Sequence, residues 1–247
     1  MKKDNKTTFG FKDVDKNEKI GLVQGVFESV AMKYDIMNDL MSAGVHRLWK
    51  NTFIDMMKPN ADMILLDVAG GTGDIAFRFL EGGGGNVTVC DLTEGMVKVG
   101  KNRALDKGII SNINWLVGNA QSLPLADNSV DVYSISFGLR NVADIDEALA
   151  EAHRVLKPSG RFMCLEFSHV VVPVLDKIYD EYSFKLLPKI GKIVADDEES
   201  YQYLVESIRR FPKQDELVAK MEKAGFSNAT YTNLTGGISA IHSGYKI

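Results

Sequence analysis

Cysteine is scarce in this chain: Cys90 and Cys164 are the only two among 247 residues. Both lie in apolar runs, "NVTVCD" and "RFMCLEF", and neither has CxxC or metal-ligand spacing, so no metal or dithiol site is expected. They read as buried strand thiols in a reducing compartment. Apolar runs of eighteen residues or more are absent, so no spanning helix is expected. The opening "MKKDNKTTFGFKDVDKNEK" lacks the apolar stretch of a secretory signal, and it mixes acids with bases unlike an organelle transit peptide. An excess of positive charge is missing too. Lys and Arg number 29 against 33 Asp and Glu, a net charge of −4 with a pI near 5.6. That balance argues against a nucleic-acid partner. The chain reads as cytoplasmic.

What is present is an ordinary globular composition, 45% hydrophobic and 25% charged, in a length that one domain fills. Residues 1–19 read as a loose polar arm. From 20 to 57 apolar residues recur at three and four (Val23, Val26, Phe27, Val30, then Leu48, Phe53, Ile54), the pattern of two amphipathic helices. Six of the ten methionines lie between Met32 and Met63; they suit core filling or an adaptable wall for an apolar ligand. Over 60–167, strand-like runs ("MILLDVA", "NVTVCD", "INWLVG", "DVYSISF", "RFMCLEF") alternate with helical patterns, which predicts βαβ units and a parallel sheet. The helix "DIDEALAEAHRVL" starts with Asp144 and Glu147 at capping-box spacing, and "KPSG" ends it. Residues 168–225 carry helical patterns only, a helical insertion, and 226–247 hold two closing strands. "EGGGG" at 81–85 is a helix-to-strand turn. The expected fold is α/β and Rossmann-like: a seven-stranded, mostly parallel sheet with helices on both faces.

The stretch "ILLDVAGGTGDIA" (64–76) reads as a strand, a glycine turn and a helix start, where a ligand is held. No lysine follows Gly73, so it is not a P-loop. A dinucleotide site is disfavoured because Asp74 stands where helical N–H groups would hold a pyrophosphate, with Asp67 nearby. Carboxylates around Gly71, Thr72 and Gly73 suit a cationic ligand without phosphate, such as S-adenosyl-L-methionine. Asp91, ending the second strand, suits a ribose diol. Asn119 and Ala120 follow the third strand and suit an adenine edge. Ser136 and Phe137 end the fourth strand beside the first.

These motifs resemble those of class I methyltransferases that use S-adenosylmethionine. The stretches "YDIMNDLMSAGVHRLWK" (34–50), "LDVAGGTGD" (66–74), "SFGLRNVAD" (136–144), "RVLKPSGRFMCLEFS" (154–168) and "YQYLVESIRRFPKQDE" (201–216), in that order, resemble the ubiquinone/menaquinone biosynthesis C-methyltransferase family from about Phe9 onward. The resemblance implies that Thr72, Asp91, Asn119, Ala120 and Ser136 bind the cofactor. It also implies that a ring carbon of a polyprenyl quinol, naphthoquinol or benzoquinol, accepts the methyl group. Arg140 is the candidate catalytic residue, stabilising a phenolate or orienting a water; the plain alternative is that it pairs with Asp144. His46, His153, His169 and His242 rank below it as bases, and Tyr34 and Tyr201 as pocket walls or core. Residues 168–225 would form a substrate lid. A prenylated acceptor implies transient membrane-surface contact, peripheral at the inner membrane, and quinone-biosynthesis enzymes as partners. Ser159 departs from the family's usual glycine. An O-methyltransferase, an NAD-dependent dehydrogenase and a non-catalytic scaffold stay open as alternatives.

Overall fold

The computed structural model describes residues 5–30, 39, 42, 44–172 and 198–247. The N-terminal arm is not loose where it is described. Strands β1 (Lys6–Phe9) and β2 (Lys12–Asp15) form an antiparallel hairpin that runs into helix α1 (Lys16–Val30). The reason is a partner far along the chain. The Phe9 ring stacks on Tyr203 with centroids 4.0 Å apart, and the Phe11 N–H donates to the Glu206 carboxylate at 3.0 Å. Tyr34, Met32, Met37 and Met41 lie outside the described residues.

Helix α2 (His46–Met57) precedes the sheet. Strand β3 (Ile64–Val68), helix α3 (Asp74–Glu81), strand β4 (Asn86–Asp91), helix α4 (Glu94–Asp106) and strand β5 (Ile113–Val117) then build one half of it. Strand β6 (Val130–Ser136), helix α5 (Ile145–Val155) and strand β7 (Leu156–Phe167) build the other. Asp144 caps α5 by accepting from the N–H groups of Asp146 and Glu147. The capping box stays half made, because the Asp144 N–H donates to Gln121 Oε1 at 3.3 Å. Helices α6 (Glu198–Arg210) and α7 (Gln214–Lys223) lead to strands β8 (Ser227–Leu234) and β9 (Ser239–Tyr245).

The sheet has seven strands in the order β5-β4-β3-β6-β7-β9-β8. The pairs from β5 through β7 are parallel, and β9 pairs antiparallel with both β7 and β8. Because β3 has β4 on one side and β6 on the other, the chain leaves it in opposite directions, and a crevice opens at the carboxyl ends.

Strand residues alternate between two apolar layers. Leu65, Val87, Val132, Met163 and Leu165 pack with α2, α3 and α6. Leu66, Val68, Tyr133, Ile135 and Phe162 pack with α5 and α7. Fully burying one such side chain contributes roughly 1.5–3 kcal/mol. The described helices of 168–225 pack on the sheet. Helix α7 covers the sheet through Leu217 and Met221. Helix α6 is core, with Tyr201 and Leu204 buried. Residues 173–197 lie outside the described residues.

Candidate functional site

The crevice has two lobes that share Ala69, Gly71 and Phe137 as walls. The larger, about 660 Å³ with its open mouth, is bounded by Asp91, Met96, Asn119, Ala120 and Asn141, with Val23 and Phe27 of α1 closing over it. The smaller, about 380 Å³, is bounded by Lys50, Asp67, Thr72, Asp74 and Ser136.

The glycine loop is shaped by contacts. A Cβ on Gly70 would come within 2.7 Å of Val89 and 2.8 Å of the Asp67 carboxylate. Gly73 has φ +85°, and a Cβ there would meet Trp115 at 2.7 Å. Gly73 thus makes the turn and caps α3, while Gly71 lines both lobes. Ala69 and Phe137, on adjacent strand ends, hold positive φ of 49° and 55°. Strain of this kind in non-glycine residues gathers at ligand sites.

Asp91 is nearly wholly buried, which pushes its carboxyl above the usual range against the hydrogen bonds it accepts. Its oxygens accept from the Gly71 N–H at 2.8 Å and the Thr93 N–H at 2.8 Å, and the Thr93 side chain and Leu92 backbone also bond the carboxyl. The carboxylate bounds the larger lobe at the end of β4, the place where an acid of this fold meets a ribose diol. Asn119 accepts from the Gln121 N–H at 3.0 Å through its side-chain oxygen, which leaves its amide N–H groups for a heterocycle. The Thr72 hydroxyl accepts from the Arg103 guanidinium.

In the smaller lobe the charges differ from those read in the sequence. Burial pulls the Asp74 carboxyl upward, but Lys50 at 2.7 Å and Arg78 at 3.2 Å more than offset this and hold it low. Asp67 is fully buried, and desolvation raises its carboxyl to about 7, reinforced by the charges of Asp74 and Asp91. Its Oδ1 accepts from the Ser134 hydroxyl at 2.7 Å. Its Oδ2, like the Ser136 hydroxyl, is buried without a hydrogen-bond partner. Orphaned buried oxygens are costly unless a ligand completes them. Two acceptors facing one lobe fit an ammonium group. Diol, heterocycle and ammonium are all parts of S-adenosylmethionine, so the residues present fit that group.

Arg140 is placed otherwise than the sequence suggested. It bounds neither lobe but a separate polar cavity beside Lys19 and Tyr203. It does not pair with Asp144, whose cation is Lys16 at 2.5 Å. Its guanidinium meets Glu166 at 2.6 Å, both side chains 1% exposed, and donates to the Phe137 carbonyl at 2.6 Å. Its Nε is buried without a partner. Burial raises the Glu166 carboxyl and Arg140 opposes this. Asn141, in the same turn, reaches the larger lobe and accepts from the Tyr203 hydroxyl at 2.9 Å.

The histidines stand apart from the crevice. His153 faces Phe226, His169 meets the Phe211 carbonyl, and buried His242 meets the Gln214 carbonyl. His46 is buried and bonded to Asp39. Among the described residues no helix is long and apolar enough to cross a membrane.

Sequence reasoning missed Lys50, Glu166 and Asn141. Lys50 and Glu166 carried a signal: each is a charge inside an otherwise buried stripe, Lys50 between Trp49 and Phe53, Glu166 in "MCLEF". Asn141 had none, since its partner lies on α6.

The profile of the ubiE/COQ5 methyltransferase family matches residues 12–246. A relative from Brucella abortus (strain S19), ubiquinone/menaquinone biosynthesis C-methyltransferase UbiE, is 57% identical over 244 residues, 97% of this chain and 91% of that protein. Among solved structures, a methyltransferase from Thermotoga maritima superposes with a TM-score of 0.65 at 19% identity, covering 91% and 100% of the two chains. The geranyl diphosphate C-methyltransferase of Streptomyces coelicolor, solved with S-adenosyl-L-homocysteine, gives 0.58 at 15% identity, covering 84% and 82%; both show the fold. A match over nearly the whole length, on a sheet whose carboxyl ends form this crevice, places the chain in the ubiE/COQ5 methyltransferase family.

Proposed function

We propose that this protein is an S-adenosylmethionine-dependent C-methyltransferase that methylates a ring carbon of a quinol in ubiquinone or menaquinone biosynthesis, as its 57%-identical relatives are named. The observation that carries the reading is the two-lobed crevice, in which Asp91 offers acceptors to a diol and the orphaned oxygens of Asp67 and Ser136 await a cation. The cofactor supplies an electrophilic methyl group on a sulfonium. The protein's part is placement. Gly71, Thr72 and Gly73 shape the loop, Asp91 orients the ribose, Asn119 and Ala120 border the base, and Ser136 borders the ammonium.

On this reading the acceptor ring meets Arg140 from the side of the polar cavity that Arg140 bounds with Lys19 and Tyr203. A guanidinium is a donor and not a simple base; its unpartnered Nε gives a donor for a developing phenolate, and Glu166 fixes its orientation. A ring made anionic attacks the methyl group more readily, and desolvation strengthens such stabilisation. The acceptor carries a polyprenyl tail, and delivery of that tail brings the protein into transient contact with a membrane surface.

The test uses purified protein, methyl-labelled S-adenosylmethionine and short-tailed demethylated naphthoquinol and benzoquinol analogues, each reduced and oxidised. Label on a ring carbon with reduced acceptors alone is expected. Cofactor binding without transfer to either ring would refute the assignment of substrate.

A further inference from the structure

We propose that Lys50, carried by helix α2 outside the sheet, is the residue that binds the carboxylate of the cofactor's methionyl end; this rests on the cofactor reading above. Lys50 stands in the buried stripe of its helix with His46, Trp49, Phe53 and Met57, and its side chain is only 4% exposed. An ammonium is rarely buried to this degree unless its charge is matched. The protein matches it incompletely. Asp74 is its acid partner at 2.7 Å, and the same carboxylate also serves Arg78 at 3.2 Å. Two cations thus share the Asp74 carboxylate, and Asp67 of the same lobe, which feels the Lys50 charge, is held largely protonated by its burial below about pH 7.

The position fits a carboxylate. The ammonium lies 6.0 Å from the centroid of the Phe137 ring, the wall common to both lobes. Lysine has three donors, and one reaches Asp74. The same lobe is bounded by the orphaned oxygens of Asp67 and Ser136. The lobe therefore holds a buried ammonium with spare donors beside unpartnered acceptors, the complement of an amino-acid zwitterion.

The experiment measures dissociation constants by calorimetry for S-adenosylmethionine, its decarboxylated analogue and methylthioadenosine. Wild-type protein is expected to bind S-adenosylmethionine at least about tenfold tighter than the decarboxylated form, as a charged hydrogen bond implies. Lys50→Met should weaken S-adenosylmethionine about 10- to 100-fold and the two ligands without a carboxylate by less than about threefold. Equal weakening of all three would overturn the proposal, showing that Lys50 only supports the loop. Should Lys50→Met not fold, wild-type preference still decides, together with Asp74→Asn, which frees Lys50 and should raise that preference. No preference in the wild type overturns the assignment of Lys50 alone. No binding of any of the three overturns the cofactor reading as well.

Discussion

Asp67→Asn isolates the cost of keeping an acid in the apolar layer of the sheet. The folded carboxyl titrates near 7 because burial opposes its ionisation, while an unfolded chain ionises it near 3.8. The native state thus holds a proton that the unfolded state releases. The resulting stability is complete below pH 3.8 and is lost as pH rises toward 7. At 1.36 kcal/mol per pKa unit the full loss approaches 4 kcal/mol, of which about 2–3 kcal/mol falls above pH 5. Asparagine keeps the acceptor for Ser134 but cannot ionise. For a domain of this size each kcal/mol moves Tm by about 2–4 °C. The Tm of ligand-free wild type should therefore fall relative to the variant by roughly 5–10 °C between pH 5 and 8. Thermal denaturation followed by circular dichroism at four pH values reads this directly. The absolute offset carries the cost of an unsatisfied amide donor, so the pH dependence is the quantity to compare. Parallel curves for the two proteins would refute the reasoning. The same titration couples to ligand: a cation beside Asp67 favours its charged form, so S-adenosylmethionine should bind more tightly as pH rises to about 7 and then level off.

Other outcomes follow from the geometry. Asp91→Asn should weaken cofactor binding at least about tenfold, read by calorimetry, because a charged acceptor is lost from the diol. Glu166→Gln leaves the Arg140 charge buried and unmatched and should cost about 3–5 kcal/mol in chemical denaturation, whatever it does to activity. His242 is buried neutral, its pKa lowered to about 4. Stability should drop as pH falls from 6.5 to 4 while the unfolded state gains a proton, and His242→Gln should flatten that limb. Ser159 holds φ +66°, a conformation that favours glycine; Ser159→Gly relieves roughly 1–2 kcal/mol of strain against about 0.4–1 kcal/mol of added chain entropy, so Tm should rise by a degree or two.

The sheet was legible because parallel strands buried on both faces write themselves as unbroken apolar runs. "NVTVCD" became β4 without a change of boundary. The loop at 69–73 was legible because a strand, a run of small residues and a helix start follow one another directly, although the contacts that demand the glycines reach as far as Val89 and Trp115. The N-terminal hairpin was not. A polar segment with Phe9 and Phe11 gives no sign that Tyr203 and Glu206 will receive it. Charge was the subtler miss. Asp74 and Asp67 read as two negative charges, yet one is matched by Lys50 and Arg78 and the other is partly protonated, because burial and distant partners decide ionisation. Arg140 read as facing the ring, and only the structure shows its hold on Glu166.

The Tyr203–Asn141 hydrogen bond spans 62 residues of chain, and this gives the site an order of assembly. All residues bounding the cofactor crevice lie at or before Val142, so a chain emerging from the ribosome has made them long before helix α6. At about 5–20 residues per second, the partner of Asn141 follows some 3–12 seconds later. A nascent chain thus holds every residue of its cofactor pocket before the rim on the acceptor side is locked.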